Sequence, residues 1–341
     1  MRAKALPRPT TPIGLVLLAL LLGPLFGLLS GCALSSSAPS TPNNRYAIVI
    51  GVQDYPGIYD DLSYPDNDAN DMATLLSAEG WTVIKRLIAT DETMTSNGLP
   101  TYTGTQDALV EATNLIGSDT KASLLVYYSG HGSVSGSTAY IIPYDGLTAT
   151  VMSYVDMGTT YYYQKQDLAK WITPATLTSW MAAVPAKHRL LILDSCDSGG
   201  FSLSSSAADL SPADYSAISG STTDSGAIST ALSKLSSLIS ANLSNYGSPE
   251  VQVLAAAGID ESSYDDSSHG NGAFTYYLLQ AAASADTDSD GVVTMDEAYN
   301  YCKTKIKENW NALYWNGDWP TGEDFLPHIS GGTGDVVLYS K

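Results

Sequence analysis

Four short apolar runs constrain this chain more than any other feature: Tyr46–Val52 (YAIVIGV), Ala122–Tyr128 (ASLLVYY), Arg189–Leu193 (RLLIL) and Val251–Ala257. Each is short for a helix and too uniformly apolar for a strand with one wet face, so each reads as a strand buried on both sides. Trp81–Ile88 and Asp335–Tyr339 read as further strands. Between them lie segments with helical apolar spacing. Asn67–Glu79 carries Met72, Leu75 and Leu76, with Asp66 as a candidate N-cap, and Thr105–Ile116, Pro174–Ala183, Ala273–Ala283 and Asp296–Trp310 follow. Strand–helix alternation with apolar strands predicts an α/β fold: a mostly parallel sheet covered by helices on both faces. Ligands of such sheets gather beyond the carboxyl ends of the strands. Two of those ends run directly into polar, glycine-flanked motifs, Tyr-Tyr-Ser-Gly-His-Gly (127–132) and Leu-Asp-Ser-Cys-Asp-Ser-Gly-Gly (193–200).

The first residues read as an export signal rather than as part of that fold. Arg2, Lys4 and Arg8 precede an apolar stretch from Ile13 to Leu29, and Leu29-Ser30-Gly31 then leads into Cys32. This order resembles a bacterial lipobox, which implies a signal over residues 1–31, a lipid on Cys32 and an exported, membrane-tethered body; an uncleaved membrane-spanning anchor is the alternative. Ala33 is not an Asp retention signal, so the outer membrane is the expected location where the cell has one. Residues 32–44 are Ser/Pro/Asn-rich and predict a flexible linker, which leaves 45–341 as the folded domain. Within that domain, residues 144–171 carry a tyrosine cluster without clear period, and 202–247 form a Ser-rich insertion. The chain has 35 Asp+Glu against 16 Lys+Arg, a net charge of −19. Such a surface repels phosphate backbones and excludes nucleic acid as a partner. It attracts cations and basic peptides, and it also serves solubility.

A cysteine peptidase needs a thiol nucleophile, a histidine to move protons and backbone donors for the oxyanion. His131 and Cys196 sit just past two apolar strands, and Gly130, Gly132, Gly199 and Gly200 allow a peptide backbone to approach them. The backbone N–H groups of Gly132 and Cys196 are the candidate oxyanion donors. Because exported proteins often pair their cysteines, a Cys196–Cys302 disulfide is the competing expectation. The two motifs resemble the catalytic motifs of caspase-like peptidases, closest to the metacaspase and bacterial caspase-domain branch. The likeness extends over Arg45–Val52, Tyr64–Leu76, Val251–Ala257 and Gly272–Leu279.

That resemblance implies a caspase–haemoglobinase fold with a six-stranded sheet, Cys196 as nucleophile and His131 as proton donor to the leaving amine. It also implies a primary pocket built by Asp68, Ser129 and Asp194, and hence protein or peptide substrates cut after Lys or Arg. Asp68 reads equally as an acid favoured at a helix N-terminus, and Asp194 as bonded to its own turn. Asp197, directly after the nucleophile, departs from the many relatives that have His or a similar residue there. His188, His269 and His328 have weaker surroundings than His131.

One further motif stands apart. Residues 286–297 (DTDSDGVVTMDE) fit D-x-D-x-D-G-x5-E, the twelve-residue calcium loop, with Asp286, Asp288, Asp290, the Val292 carbonyl and Glu297 as ligands and Gly291 at the turn. The expected calcium is structural, and no organic cofactor is expected. Between Arg189 and Lys303 the one basic residue is Lys234, which makes it a candidate autoprocessing site for an enzyme of basic specificity. The competing functional class is a catalytically inactive caspase-like domain that serves as a calcium-stabilised binding module. A nucleotide-binding reading lacks any glycine-rich phosphate loop after Tyr46–Val52.

Overall fold

The computed structural model describes residues 44–57, 60–88, 98–119, 121–135, 138–196, 250–258, 262–311, 325–331 and 336–340. The signal, Cys32, nearly all of the linker, Asp197, Gly199, Gly200, the Ser-rich insertion and Lys234 lie outside the described residues. In chain order the elements are β1 (Arg45–Val52), α1 (Pro65–Ala78), β2 (Thr82–Ile88), α2 (Tyr102–Ile116), β3 (Ser123–Ser129), β4 (Gly132–Ser135), β5 (Thr138–Ile141), β6 (Leu147–Asp156) and β7 (Thr159–Gln166). There follow α3 (Pro174–Ala183), β8 (His188–Asp194), β9 (Glu250–Ala255), β10 (Asp265–Asp266), β11 (Asn271–Gly272), α4 (Ala273–Ser284), β12 (Val292–Thr294), α5 (Met295–Lys305), β13 (His328–Gly331) and β14 (Val337–Ser340).

The main sheet has six strands in the order β13-β9-β8-β3-β1-β2, parallel except for β13, which runs antiparallel to β9. Alternation of side chains along each strand divides the core in two. Ile48, Ile50, Val126, Tyr128, Leu191 and Leu193 face a layer that includes Ala108, Leu109 and Ala112 of α2 and Leu177 and Met181 of α3. Ala47, Val49, Leu125, Tyr127, Leu190 and Ile192 face α1, α4 and α5 through Met72, Leu76, Phe274, Leu278 and Ala298. Both faces are covered, as fully apolar strands require. Burying a Leu- or Ile-sized side chain stabilises the fold by about 1.5–3 kcal/mol, so these two layers dominate its energetics.

The last strand expected from the sequence forms as β14 (Val337–Ser340), with Asp335 outside the described residues, and it pairs with β12 beside the 286–297 loop, apart from the main sheet. The sixth place in the sheet is filled by β13, four residues whose single antiparallel neighbour leaves no apolar alternation to read. Helix α1 begins at Pro65, not after Asp66: Pro at the first helical position has no N–H to lose and its φ is already helical. The tyrosine cluster folds as the β6–β7 hairpin, with Met157 at positive φ in its turn. Tyr154, Val155, Tyr161 and Tyr162 are exposed along it. Among the described residues, no helix is long and apolar enough to cross a membrane.

Candidate active site

Strands β3 and β8 are the two central strands of the sheet, and their parallel register pairs Ser129 with Asp194. His131 and Cys196 each lie two residues beyond that pair, so a shared register delivers imidazole and thiol to the same rim. A single cleft is lined by His131 and Cys196 together with Leu62, Pro65, Asp68, Ser129, Gly130, Asp194, Ser195, Ser263, Asp265 and Gly272. Two close approaches tie its halves together. Gly130 N donates to Asp194 O at 3.3 Å, and a Cβ on Gly132 would stand 1.9 Å from Cys196 O, where no side chain fits. Cys196 and Cys302 are both free: the disulfide expectation fails because Cys302 is buried on α5, in the helical layer behind the sheet.

The histidine is held from several directions. Its Nε2 lies 2.7 Å from the Asp60 carbonyl oxygen. A carbonyl only accepts, so Nε2 carries the proton and Nδ1 is left as the acceptor of the neutral ring. His131 N donates to Tyr55 OH at 3.0 Å, and Tyr55 OH donates onward to Ile142 O at 2.9 Å. Tyr128 OH lies 2.8 Å from the carbonyl oxygens of both His131 and Ile142, which share its single O–H proton. The Tyr55 ring packs 4.8 Å from the imidazole. Burial holds the His131 pKa below its ordinary value, with the Asp60 carbonyl acting in the opposite direction. Asp60 is in turn fixed by the hairpin: its carboxylate accepts from Gln164 N of β7 at 2.6 Å.

The floor of the cleft is acidic. Asp68, on α1, is 1 % exposed and Asp194, at the end of β8, is 5 % exposed. Asp68 accepts from Ser129 Oγ and from Gly272 N, both at 2.8 Å, with the Asn271 side chain as a further donor. Asp194 accepts from Ser263 Oγ, from Thr275 Oγ1 at 2.6 Å and from Thr275 N at 3.2 Å. Desolvation raises both carboxyl pKa values, and for Asp68 the charge of Asp194 adds to the effect. The two carboxylates converge on Gly272, where a Cβ would lie 2.5 Å from Asp194 Oδ2 and 3.1 Å from Asp68 Oδ2. Neither Lys nor Arg is among the described residues lining the cleft. Here the structure brings Asp68, Ser129, Asp194, His131, Gly132 and Cys196 together. Sequence reading missed Tyr55, Asp60, Ser263, Asp265, Gly272 and Thr275 as members of this site; only the Asp265-Asp266 doublet carried any local signal.

The 286–297 loop is a separate structure. Asp286, Asp288 and Asp290 each offer an oxygen, and these oxygens lie within 4.8 Å of one another. Ser289 and Gly291 take positive φ at the turn, as a tight twelve-residue loop requires. Glu297 does not join this group. Its two oxygens accept from Thr287 N and Oγ1 on one side and from Thr294 N and Oγ1 on the other, the latter closing a capping box at the start of α5.

Comparison with known proteins accords with this geometry. A family model described as the caspase domain matches residues 44–309 and so spans the motifs that carry His131 and Cys196. Among solved structures, the chain aligns with the Drosophila initiator caspase Dronc at 9% sequence identity and a TM-score of 0.44, covering 88% of this chain and 84% of that one. Comparison with curated proteins gives no significant match. With its caspase-type α/β sheet and a family match over most of its length, the chain belongs to the caspase-domain family of cysteine peptidases.

Proposed function

We propose that the protein is an endopeptidase that cuts after Lys or Arg, with Cys196 as nucleophile and His131 as the proton carrier. One observation carries the specificity: a cleft that holds both residues has two buried carboxylates at its floor and neither Lys nor Arg among its described lining residues. A basic side chain entering it exchanges water for charge-assisted bonds shielded from solvent.

In the first step the Cys196 thiol proton passes to His131 Nδ1 and the sulfur attacks the scissile carbonyl carbon. The carbonyl electron pair moves onto oxygen, where the backbone N–H groups of Gly132 and Cys196 receive it. Collapse breaks the C–N bond, and the proton on Nδ1 goes to the departing amine. Water then gives a proton to Nδ1 as its oxygen attacks the thioester; the C–S bond breaks and the proton returns to sulfur. The carbonyl of Asp60 holds Nε2–H throughout, which keeps the ring in the tautomer that both half-reactions need.

The export signal and Cys32 support a body tethered to the cell envelope. The three loop aspartates fit a calcium ion, which would be held by Asp286, Asp288 and Asp290 with the Val292 carbonyl, and by Glu297 once its present hydrogen bonds yield. Its contribution is stability at this corner of the domain. The deciding experiment is hydrolysis of Arg-, Lys- and Asp-amide fluorogenic peptides by the wild type and by Cys196→Ala. Cleavage of the Arg and Lys substrates alone, lost in the variant, is expected. Cleavage after Asp overturns the specificity, and no cleavage at all favours the binding-module alternative.

A further inference from the structure

Ser263 touches both halves of the cleft at once. It lies in the segment that leads from β9 to β10, and it lines the cleft with Asp194 and Cys196. Its hydroxyl donates to Asp194 Oδ1. Its backbone carbonyl accepts from the Cys196 thiol, with Sγ 3.8 Å from the oxygen. One half-buried residue thus joins the acid that would receive a basic side chain to the sulfur that would attack.

Each end of that bridge has a chemical consequence. A thiol carries a single proton, and a carbonyl oxygen can only accept it. While Sγ–H donates to the Ser263 carbonyl, that proton is committed there rather than to His131 Nδ1, and the sulfur stays in its less nucleophilic form. At the other end, the two oxygens of Asp194 are unequal. Oδ2 accepts from both N and Oγ1 of Thr275, a wholly buried residue, and this uses its two lone pairs. Oδ1 accepts from Ser263 and has one lone pair left, so it is the oxygen an incoming cation can reach. A cation bound there competes with the Ser263 hydroxyl for the same atom.

We propose that Ser263 is a positioning residue that ties filling of the primary pocket to release of the nucleophile. Before substrate arrives, its hydroxyl rests on Asp194 and its carbonyl holds the thiol proton. A basic side chain that binds Asp194 Oδ1 displaces the hydroxyl, the carbonyl moves off the sulfur, and the proton becomes available to His131 Nδ1. The S–H bond then breaks with its electron pair left on sulfur, and an N–H bond forms on the imidazole. This rests on the basic specificity proposed above and adds an order of events: the thiol is activated only after the pocket is occupied.

The test measures alkylation of Cys196 by iodoacetamide, followed by mass spectrometry of the peptide that bears it, with and without saturating agmatine. Agmatine carries the guanidinium of an arginine side chain without a bond to cut, and calorimetry establishes that it binds. In the wild type, agmatine is expected to speed alkylation by about fivefold, the release of one hydrogen bond of ordinary net strength. Ser263→Ala, which lacks the anchor, is expected to alkylate at the faster rate with or without agmatine. Ser263→Thr, which restores a hydroxyl, is expected to regain the response, and melting curves confirm that both variants fold. An equal acceleration in Ser263→Ala would mean that the bound charge acts on the thiol directly, and it overturns the role of Ser263. So does a wild-type rate that bound agmatine leaves unchanged or lowers. If agmatine does not bind, the basic specificity fails first and this inference falls with it.

Discussion

The protein keeps its carboxylates in two opposite states. At the floor of the cleft, Asp68 and Asp194 are almost wholly buried, close to one another, and answered by three internal donors each. In the 286–297 loop, Asp286, Asp288 and Asp290 are half-buried or exposed and gather their oxygens around a common point. In the proposed function the same side chain serves selectivity in one place and ion capture in the other. The difference lies in the surroundings: at the floor the fold itself tolerates two raised pKa values with neither Lys nor Arg among the described lining residues.

The largest effect expected from this contrast is at the floor. Asp68→Asn should lower kcat/KM on basic peptides by at least about a hundredfold, the loss of a desolvated charge partner, as measured by steady-state kinetics on an Arg-amide. The same substitution should leave the melting temperature unchanged or raise it, because it removes buried repulsion while the Asn oxygen still accepts from Gly272 N. A large drop in melting temperature would mean that the pair is structural. By contrast, Gly132→Ala should abolish activity and lower the melting temperature together, since the added methyl would stand 1.9 Å from the Cys196 carbonyl oxygen and the backbone there must shift; active-site titration of the thiol and a melting curve check this.

Next in size is a pH effect. The folded protein holds protons on Asp68 and Asp194 at pH values where an unfolded chain has released them. It therefore binds more protons than the unfolded state, and stability falls as pH rises from the ordinary Asp value of about 3.9 through the raised values. Denaturant unfolding across that window should show the decline, and Asp68→Asn should flatten it. An unchanged slope would separate the pair from the raised pKa values assigned to it.

The smallest effect belongs to the loop. Calcium at a hundredfold excess over Kd should add about 2.7 kcal/mol of stability, a rise of a few degrees in melting temperature, with kcat unchanged. Asp286→Ala should remove that rise. An equal rise in the variant would place the ion elsewhere.

Much of this was legible because strands buried on both faces announce themselves as unbroken apolar runs. Those runs by themselves place His131 and Cys196 at strand ends. The β6–β7 hairpin was not legible, since exposed Tyr154, Val155, Tyr161 and Tyr162 leave no inside-to-outside alternation to detect. The Asp60 carbonyl was invisible for a different reason, because a backbone acceptor leaves no mark on the residue that bears it. Asp265, Ser263 and Thr275 enter the cleft only through β9, β10 and α4, and sequence spacing does not encode that return.

The placement of His131 and Cys196 just past the ends of the middle strands has a consequence for when the cleft is assembled. Neither residue can meet the other until β3 and β8, separated by a long stretch of chain, have paired side by side. The floor then awaits α4, later still along the polypeptide. Contacts this distant in sequence form late and slowly. A chain still emerging from its ribosome therefore carries the thiol without the imidazole beside it, and the topology itself delays assembly of the cleft until folding is complete.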